Sequence, residues 1–184
     1  MRKIFMVITV MLLLTGCIKR PWTPAPTTEH LAPSQNVRLA LPEGWMLNSR
    51  EDVLLVTRDG VLLQNVIVEA INVDGGLKYT KKKFKPGMLP IEQAGVILDN
   101  MASNPNRAAF KVHSKKPAQV AGHQAFRAEV TFKDKEGLRY RGILYGFMQN
   151  DWFYLVRYLA PERHYFGRDK DQFENIVRSL RLMV

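Results

Sequence analysis

Apolar and polar side chains alternate most cleanly between positions 126 and 133. Phe126, Ala128, Val130 and Phe132 take one side, and Arg127, Glu129, Thr131 and Lys133 the other. A period of two is that of a strand with one face on a core and the other in water. Glu136-Gly137 then turns the chain into residues 138–148, and Asn150-Asp151 turns it again into residues 152–159, so the three runs predict an antiparallel meander. Upstream, Val37, Leu39 and Leu41 alternate with Arg38 and Ala40 as a short strand, and Glu43-Gly44 turns before Trp45. Residues 52–57 and 62–73 are rich in Val, Ile and Leu and flank Arg58-Asp59-Gly60, a hairpin signal. A further short strand is predicted over residues 109–113, and Val120-Ala121-Gly122-His123 predicts the turn into the alternating run.

The period changes twice. Behind Pro90, whose missing N–H is no loss in a first helical turn, Ile91, Ala94, Leu98 and Met101 fall on one helical face, and Asn104-Pro105 ends the run. Within residues 169–182, Phe173, Ile176, Val177 and Leu180 sit at i, i+3, i+4 and i+7, an amphipathic helix that needs a sheet face to cover. After Gly75-Gly76, residues 78–87 are basic and predict an exposed loop.

The first residues follow neither period. Arg2 and Lys3 precede an apolar run to Leu14 that, at about 1.5 Å per helical residue, falls short of a hydrocarbon core of about 30 Å. That is the pattern of an export signal. Leu14-Thr15-Gly16-Cys17 resembles the lipobox of bacterial lipoproteins, in which lipid joins the cysteine sulfur and cleavage falls just before it. Residues 1–16 are thus expected to be a signal peptide, with Cys17 the lipidated first mature residue. Cys17 is the chain's one cysteine, so no intrachain disulfide can form. Two or three acyl chains, at about 0.8 kcal/mol per buried CH₂, make a durable anchor. Ile18 stands where an aspartate resembles an inner-membrane retention signal, which in a two-membrane host points to the periplasmic face of the outer membrane. The rest of residues 17–36, with Pro21, Pro24, Pro26 and Pro33, reads as a proline-rich tether reaching on the order of 60 Å if extended. Residues 37–184 form a single domain.

Three stretches, in this order, resemble landmarks of PsbP-like domains, an order also found in DcrB-like bacterial lipoproteins. They are Leu41-Pro42-Glu43-Gly44-Trp45, Val120-Ala121-Gly122-His123-Gln124-Ala125, and the closing run from Phe173 to Leu182. The resemblance covers nearly all of residues 37–184. It implies an α+β fold, an antiparallel sheet sandwiched by helices in a PsbP-like α/β/α sandwich. It also implies an accessory or assembly role through protein binding, with no active site to carry over.

The search for chemistry agrees. His30, His113, His123 and His164 show no metal-ligand spacing, and no nucleophile elbow or phosphate-cradling glycine loop is present. Asp169 with Asp171, or with Glu162, would suit a hydrolase, but carboxylates at a helix start ordinarily compensate its dipole. The expectation is a non-enzyme without cofactor or metal.

Charge is the remaining signal. The chain has 27 Lys and Arg against 17 Asp and Glu, a formal net charge of +10. An exported protein does not meet nucleic acid, so anionic lipid, lipopolysaccharide phosphate or an acidic protein is the counterpart to consider. Lys78, Lys81, Lys82, Lys83 and Lys85 are the candidate anion-binding residues, with a merely solvated loop as the alternative. Arg139, Arg141 and Tyr145, with Arg157 and Tyr158, are candidates to line a groove for a peptide or lipid, although a strand pair covered on both faces explains the same pattern. Two functions follow: an envelope lipoprotein whose domain docks on another envelope protein, or a periplasmic carrier or sensor of a small apolar or anionic ligand.

Overall fold

The computed structural model describes residues 22–26, 28–49 and 53–183. The signal segment 1–16, with the lipobox residues Leu14, Thr15 and Gly16, lies outside the described residues, as do Cys17 and Asp52. In chain order the strands are β1 (Thr23–Pro24), β2 (Glu29–Ala32), β3 (Val37–Ala40), β4 (Met46–Ser49), β5 (Val53–Thr57), β6 (Asn65–Asn72), β7 (Ala108–Val120), β8 (His123–Lys133), β9 (Arg139–Gln149), β10 (Trp152–Pro161) and β11 (Arg181–Leu182). Helix α1 (Pro90–Ala102) lies between β6 and β7, and α2 (Gly167–Ser179) between β10 and β11. Eight strands form one sheet in the order β1-β4-β5-β6-β10-β9-β8-β7, and β11-β3-β2 form a second.

The meander of β8, β9 and β10 is present, every neighbour antiparallel. Its preceding hairpin turns on Ala121 and Gly122, both left-handed with φ of 52° and 81°, as the twist of a two-residue turn demands. That hairpin makes β7 far longer than the strand expected at 109–113, because pairing with β8 extends it where its own side chains do not. β7 is a sheet edge, and its exposed Lys111, Lys115, Lys116 and Pro117, with two register shifts, blunt it against pairing with another chain.

Both faces of the central strands are covered, which explains why β9 and β10 are apolar on both sides. One face gathers Phe126, Ala128, Val130, Leu144, Phe153 and Leu155 against Ala94, Ile97, Leu98 and Met101 of α1. The other gathers Ile143, Tyr145, Phe147, Val156 and Tyr158 against Phe173, Ile176 and Val177 of α2, with Leu180 just beyond it. The architecture is one large antiparallel sheet carrying two helices. α1 shares its face with Leu77 and Phe84 of the loop after β6, and α2 shares its face with the three-stranded sheet and Trp45.

Helix α2 stops earlier than the periodicity implied: Leu180 is extended, with ψ of 134°, and β11 pairs with β3. The chain also begins to pack earlier than its proline content implied. β1 pairs with β4, β2 pairs with β3, and Ala32 is fully buried, so much of segment 17–36 is part of the fold. The 60 Å reach therefore does not apply to those residues. Proline is tolerated there because β1 is an edge strand, with no ladder bond to lose on its outer side.

Candidate functional site

The basic loop between β6 and α1 is held down at both ends of its lysine run. Leu77 and Phe84 are buried, and the Phe84 ring stacks on Phe153 with centroids 4.1 Å apart. Asn100 of α1 accepts hydrogen bonds from the Tyr79 and Thr80 N–H groups at 2.8 and 3.3 Å. The loop also closes on itself, the Lys81 N–H donating to the Leu77 carbonyl and the Leu77 N–H to the Lys82 carbonyl. Lys82 is paired with Asp99 at 2.7 Å. Lys78, Lys81, Lys83 and Lys85 are exposed and have no carboxylate partner among the described residues. The sequence showed the charge but not the apolar pins, because two buried residues in a basic run carry no period.

Of the five residues considered for a groove, Arg157 is parted from the other four, which share the α2 face and are taken up there by packing and ion pairs. Successive side chains on a strand face opposite ways, and β10 puts Tyr158 on the α2 face and Arg157 on the α1 face. Tyr158 is fully buried and donates to the Tyr165 and Phe166 carbonyls at 2.9 and 3.1 Å, and burial pushes its hydroxyl pKa up. Tyr145 donates to Glu174 at 2.7 Å, and burial followed by that hydrogen bond raises it to about 12. Arg141 binds Glu129 and lies 3.7 Å from Glu162, and Arg139 lies 3.7 Å from Glu162 as well. Arg127 reaches Glu174 at 3.0 Å, so Arg127 and Glu129, expected to meet water, lie in an ion-pair layer beneath α2. Burial opposes ionisation of Glu129, but Arg141 and Arg127 outweigh it and hold that carboxyl below its ordinary range.

The acidic residues considered for hydrolysis do not converge either. Asp169 is fully buried, with Arg168 3.0 Å from Oδ2. Arg58 Nη2 is 2.9 Å from Oδ1 but off the hydrogen-bonding direction, a pairing by charge. Gln64 donates to Asp169 at 3.4 Å, and Asp59 binds Arg168. Asp171 is exposed, and Glu162 faces the arginines of β9. This network ties the loop after β5 to the start of α2. Of the histidines, His113 meets the Thr131 hydroxyl at 2.8 Å, and His123 stacks on Phe147. Among the described residues no cluster of histidines and carboxylates could hold a metal ion.

The sequence reading missed a charged cavity of about 360 Å³ under the basic loop, between the C-terminal half of α1 and strands β6 and β10. Arg107 and Arg157 both line it, with Glu69 and Tyr79. Arg157 donates to Glu69 at 2.9 Å. Arg107 stacks over the Phe132 ring at 5.0 Å and has no carboxylate partner among the described residues. Two larger hollows, of about 640 and 630 Å³, lie elsewhere; in the first Arg139 already faces Glu162, and the second has no charged lining residue. The arginine cavity was hidden because Arg107 sits in a turn and the direction of Arg157 depends on register.

No protein-family model matches the chain, and neither does any curated protein. Solved structures do match. Cyanobacterial PsbP (CyanoP) from Synechocystis superposes with a TM-score of 0.58 at 11% identity, over 92% of this chain and 99% of that one. The fold is PsbP-like. The Ran-binding protein Mog1p of Saccharomyces cerevisiae matches with a TM-score of 0.59 at 9% identity, over 85% of this chain and 95% of that one. LpqN of Mycobacterium tuberculosis, involved in cell envelope biogenesis, matches with a TM-score of 0.51 at 10% identity, over 88% and 90%. The chain places no helix among its described residues that is long and apolar enough to cross a membrane.

Proposed function

We propose that this protein is a non-catalytic accessory factor of the bacterial envelope, anchored by lipid on Cys17, that docks through its basic loop on an acidic surface of another envelope protein. The observation that carries the docking surface is the set of four lysines without carboxylate partners on a loop fixed by Phe84 and Asn100. Charges fixed in place lose little freedom on binding, and opposite charge across an interface speeds encounter and sets specificity. Protein partnering is consistent with the fold, since Mog1p binds Ran and LpqN acts in envelope biogenesis. The lipobox and Ile18 support an outer-membrane address facing the periplasm.

The test is crosslinking in intact envelopes with the full chain and with the Lys81→Gln, Lys82→Gln, Lys83→Gln triple variant. The parent should crosslink reproducibly to one protein band, and the triple variant should lose most of it. Equal capture by both would remove the loop from the interface. A second arm measures binding to protein-free anionic vesicles, where each cation near the surface contributes roughly 1 kcal/mol, screened over about 8 Å at physiological salt. Lysine-dependent vesicle binding with no crosslinked protein would reassign the loop to lipid headgroups.

A further inference from the structure

We propose that the cavity between α1 and strands β6 and β10 is a binding site for a small amphipathic anion, its carboxylate or phosphate head seated between Arg107 and Arg157 and its apolar body resting on Ile97 and Leu155. The site shares Lys78 and Tyr79 with the basic loop, but neither head-group arginine lies on that loop and the proposal does not depend on the docking role.

The charges carry the inference first. Glu69 neutralises one guanidinium, leaving one positive charge over among Arg107, Arg157 and Glu69. Burial, and then the charge of Arg157, pull the Arg107 guanidinium down to about 10, so its charge is held at a cost although it persists at neutral pH. A partly buried cation beside a second cation is poorly explained by packing alone, because removing charge from water without a partner is expensive. Stacking over Phe132 offsets part of that cost, but its attraction belongs to the ring and leaves the guanidinium edges unpaired.

The donors carry it next. Tyr79 lines the same cavity, and its hydroxyl makes no hydrogen bond among the described residues. Guanidinium forks match the two oxygens of a carboxylate or phosphate, and Arg107 and Arg157 line one cavity together with Tyr79. Ile71, Ile97, Met101 and Leu155 form an apolar wall beside the polar Lys78, Asn100 and Asn104, and about 360 Å³ lies within the lower range of small-ligand sites. Such a wall disfavours a bare hydrated ion and favours an anion with a short hydrocarbon portion.

The experiment follows thermal unfolding of the purified full chain by circular dichroism, titrating hexanoate, hexyl phosphate and inorganic phosphate against sodium chloride at equal ionic strength. A saturable rise in Tm with hexanoate or hexyl phosphate is expected, smaller with inorganic phosphate, and the stronger of the two alkyl probes identifies the head group. Arg107→Gln should weaken the response about tenfold or more, and Arg107→Lys should recover part of it. Without added anion, Arg107→Gln should leave Tm unchanged or higher, whereas a purely structural Arg107 would lower it equally with and without probe. Tyr79→Phe provides an independent arm, expected to weaken binding without loss of fold. An equal rise in parent and Arg107→Gln would be the general stabilisation that excluded salts give any protein, and would overturn the proposal. Absence of any saturable response in the millimolar range would overturn it too. Loss of the response in the Lys81, Lys82, Lys83 triple variant would assign binding to diffuse surface charge and reject the cavity.

Discussion

Asp169 sits within the first turn of α2, where a carboxylate ordinarily faces water and compensates the helix dipole. Here it is fully buried and answers two arginines and a glutamine. Removing one member of a buried charge network strands the others, at about 3–5 kcal/mol where the remaining charges stay enclosed. Arg58 and Arg168 are partly exposed and recover some hydration, so Asp169→Ala is expected to cost about 3 kcal/mol, at the lower end of that range. Asp171→Ala, two positions on and exposed, should change stability by less than about 0.5 kcal/mol. Urea unfolding of both variants checks this, and equal midpoints would refute the role given to Asp169. Gly146 shows the same dependence on neighbours: a Cβ there would meet Phe126 and Phe153 ring atoms at 2.6 Å, so the aromatic layer under α1 requires its absence.

At the scale of the element, α2 was legible because its apolar residues obey a helical period. Phe173, Ile176, Val177 and Leu180 are all buried. Ile176→Asp puts a carboxylate into that core and should cost several kcal/mol, whereas Asn175→Asp on the exposed side should be nearly neutral. Thermal melts of the two variants decide the matter: similar Tm values would mean that the helical face is misassigned. β7 was only partly legible for the opposite reason. Its side chains are mostly exposed, and its length is set by hydrogen bonding to β8 across the Ala121-Gly122 turn.

For the whole molecule, the arginines packed beneath α2 and the cations around α1 are paired to different degrees. Beneath α2 the cations are answered, Arg127 by Glu174 and Arg141 by Glu129. Around α1, Lys78, Lys81, Lys83, Lys85 and Arg107 have no carboxylate partner among the described residues. Early docking of β1 bears on how close the domain stays to a lipid anchor. From Cys17 to Thr23 the chain spans at most about 20 Å when fully extended, so a lipid on Cys17 would keep the domain close to the headgroups. Cys17→Ser removes the acceptor sulfur. It should abolish labelling by a fatty-acid probe and leave the protein unprocessed or soluble on fractionation; normal labelling of that variant would refute the anchor.

Local chemistry written in consecutive residues could be read directly. The alternation of β8, the hairpin turns of the meander, the two helical periods, the export pattern ending at Cys17 and the lysine run all depend on spacings of a few residues. Their order along the chain was enough to suggest the PsbP-like fold. Whatever depends on which strands lie side by side was decided by tertiary structure. Register and the two-sided pleat separate Arg157 from Tyr158, and the same register brings Arg157 to Arg107 beneath α1. Packing places Asp169 between Arg58 and Arg168, and it lets Leu77 and Phe84 fix a loop whose composition reads as solvated. A side chain's type and spacing are local properties, but its burial and its charged neighbours arise only when distant segments share a sheet face.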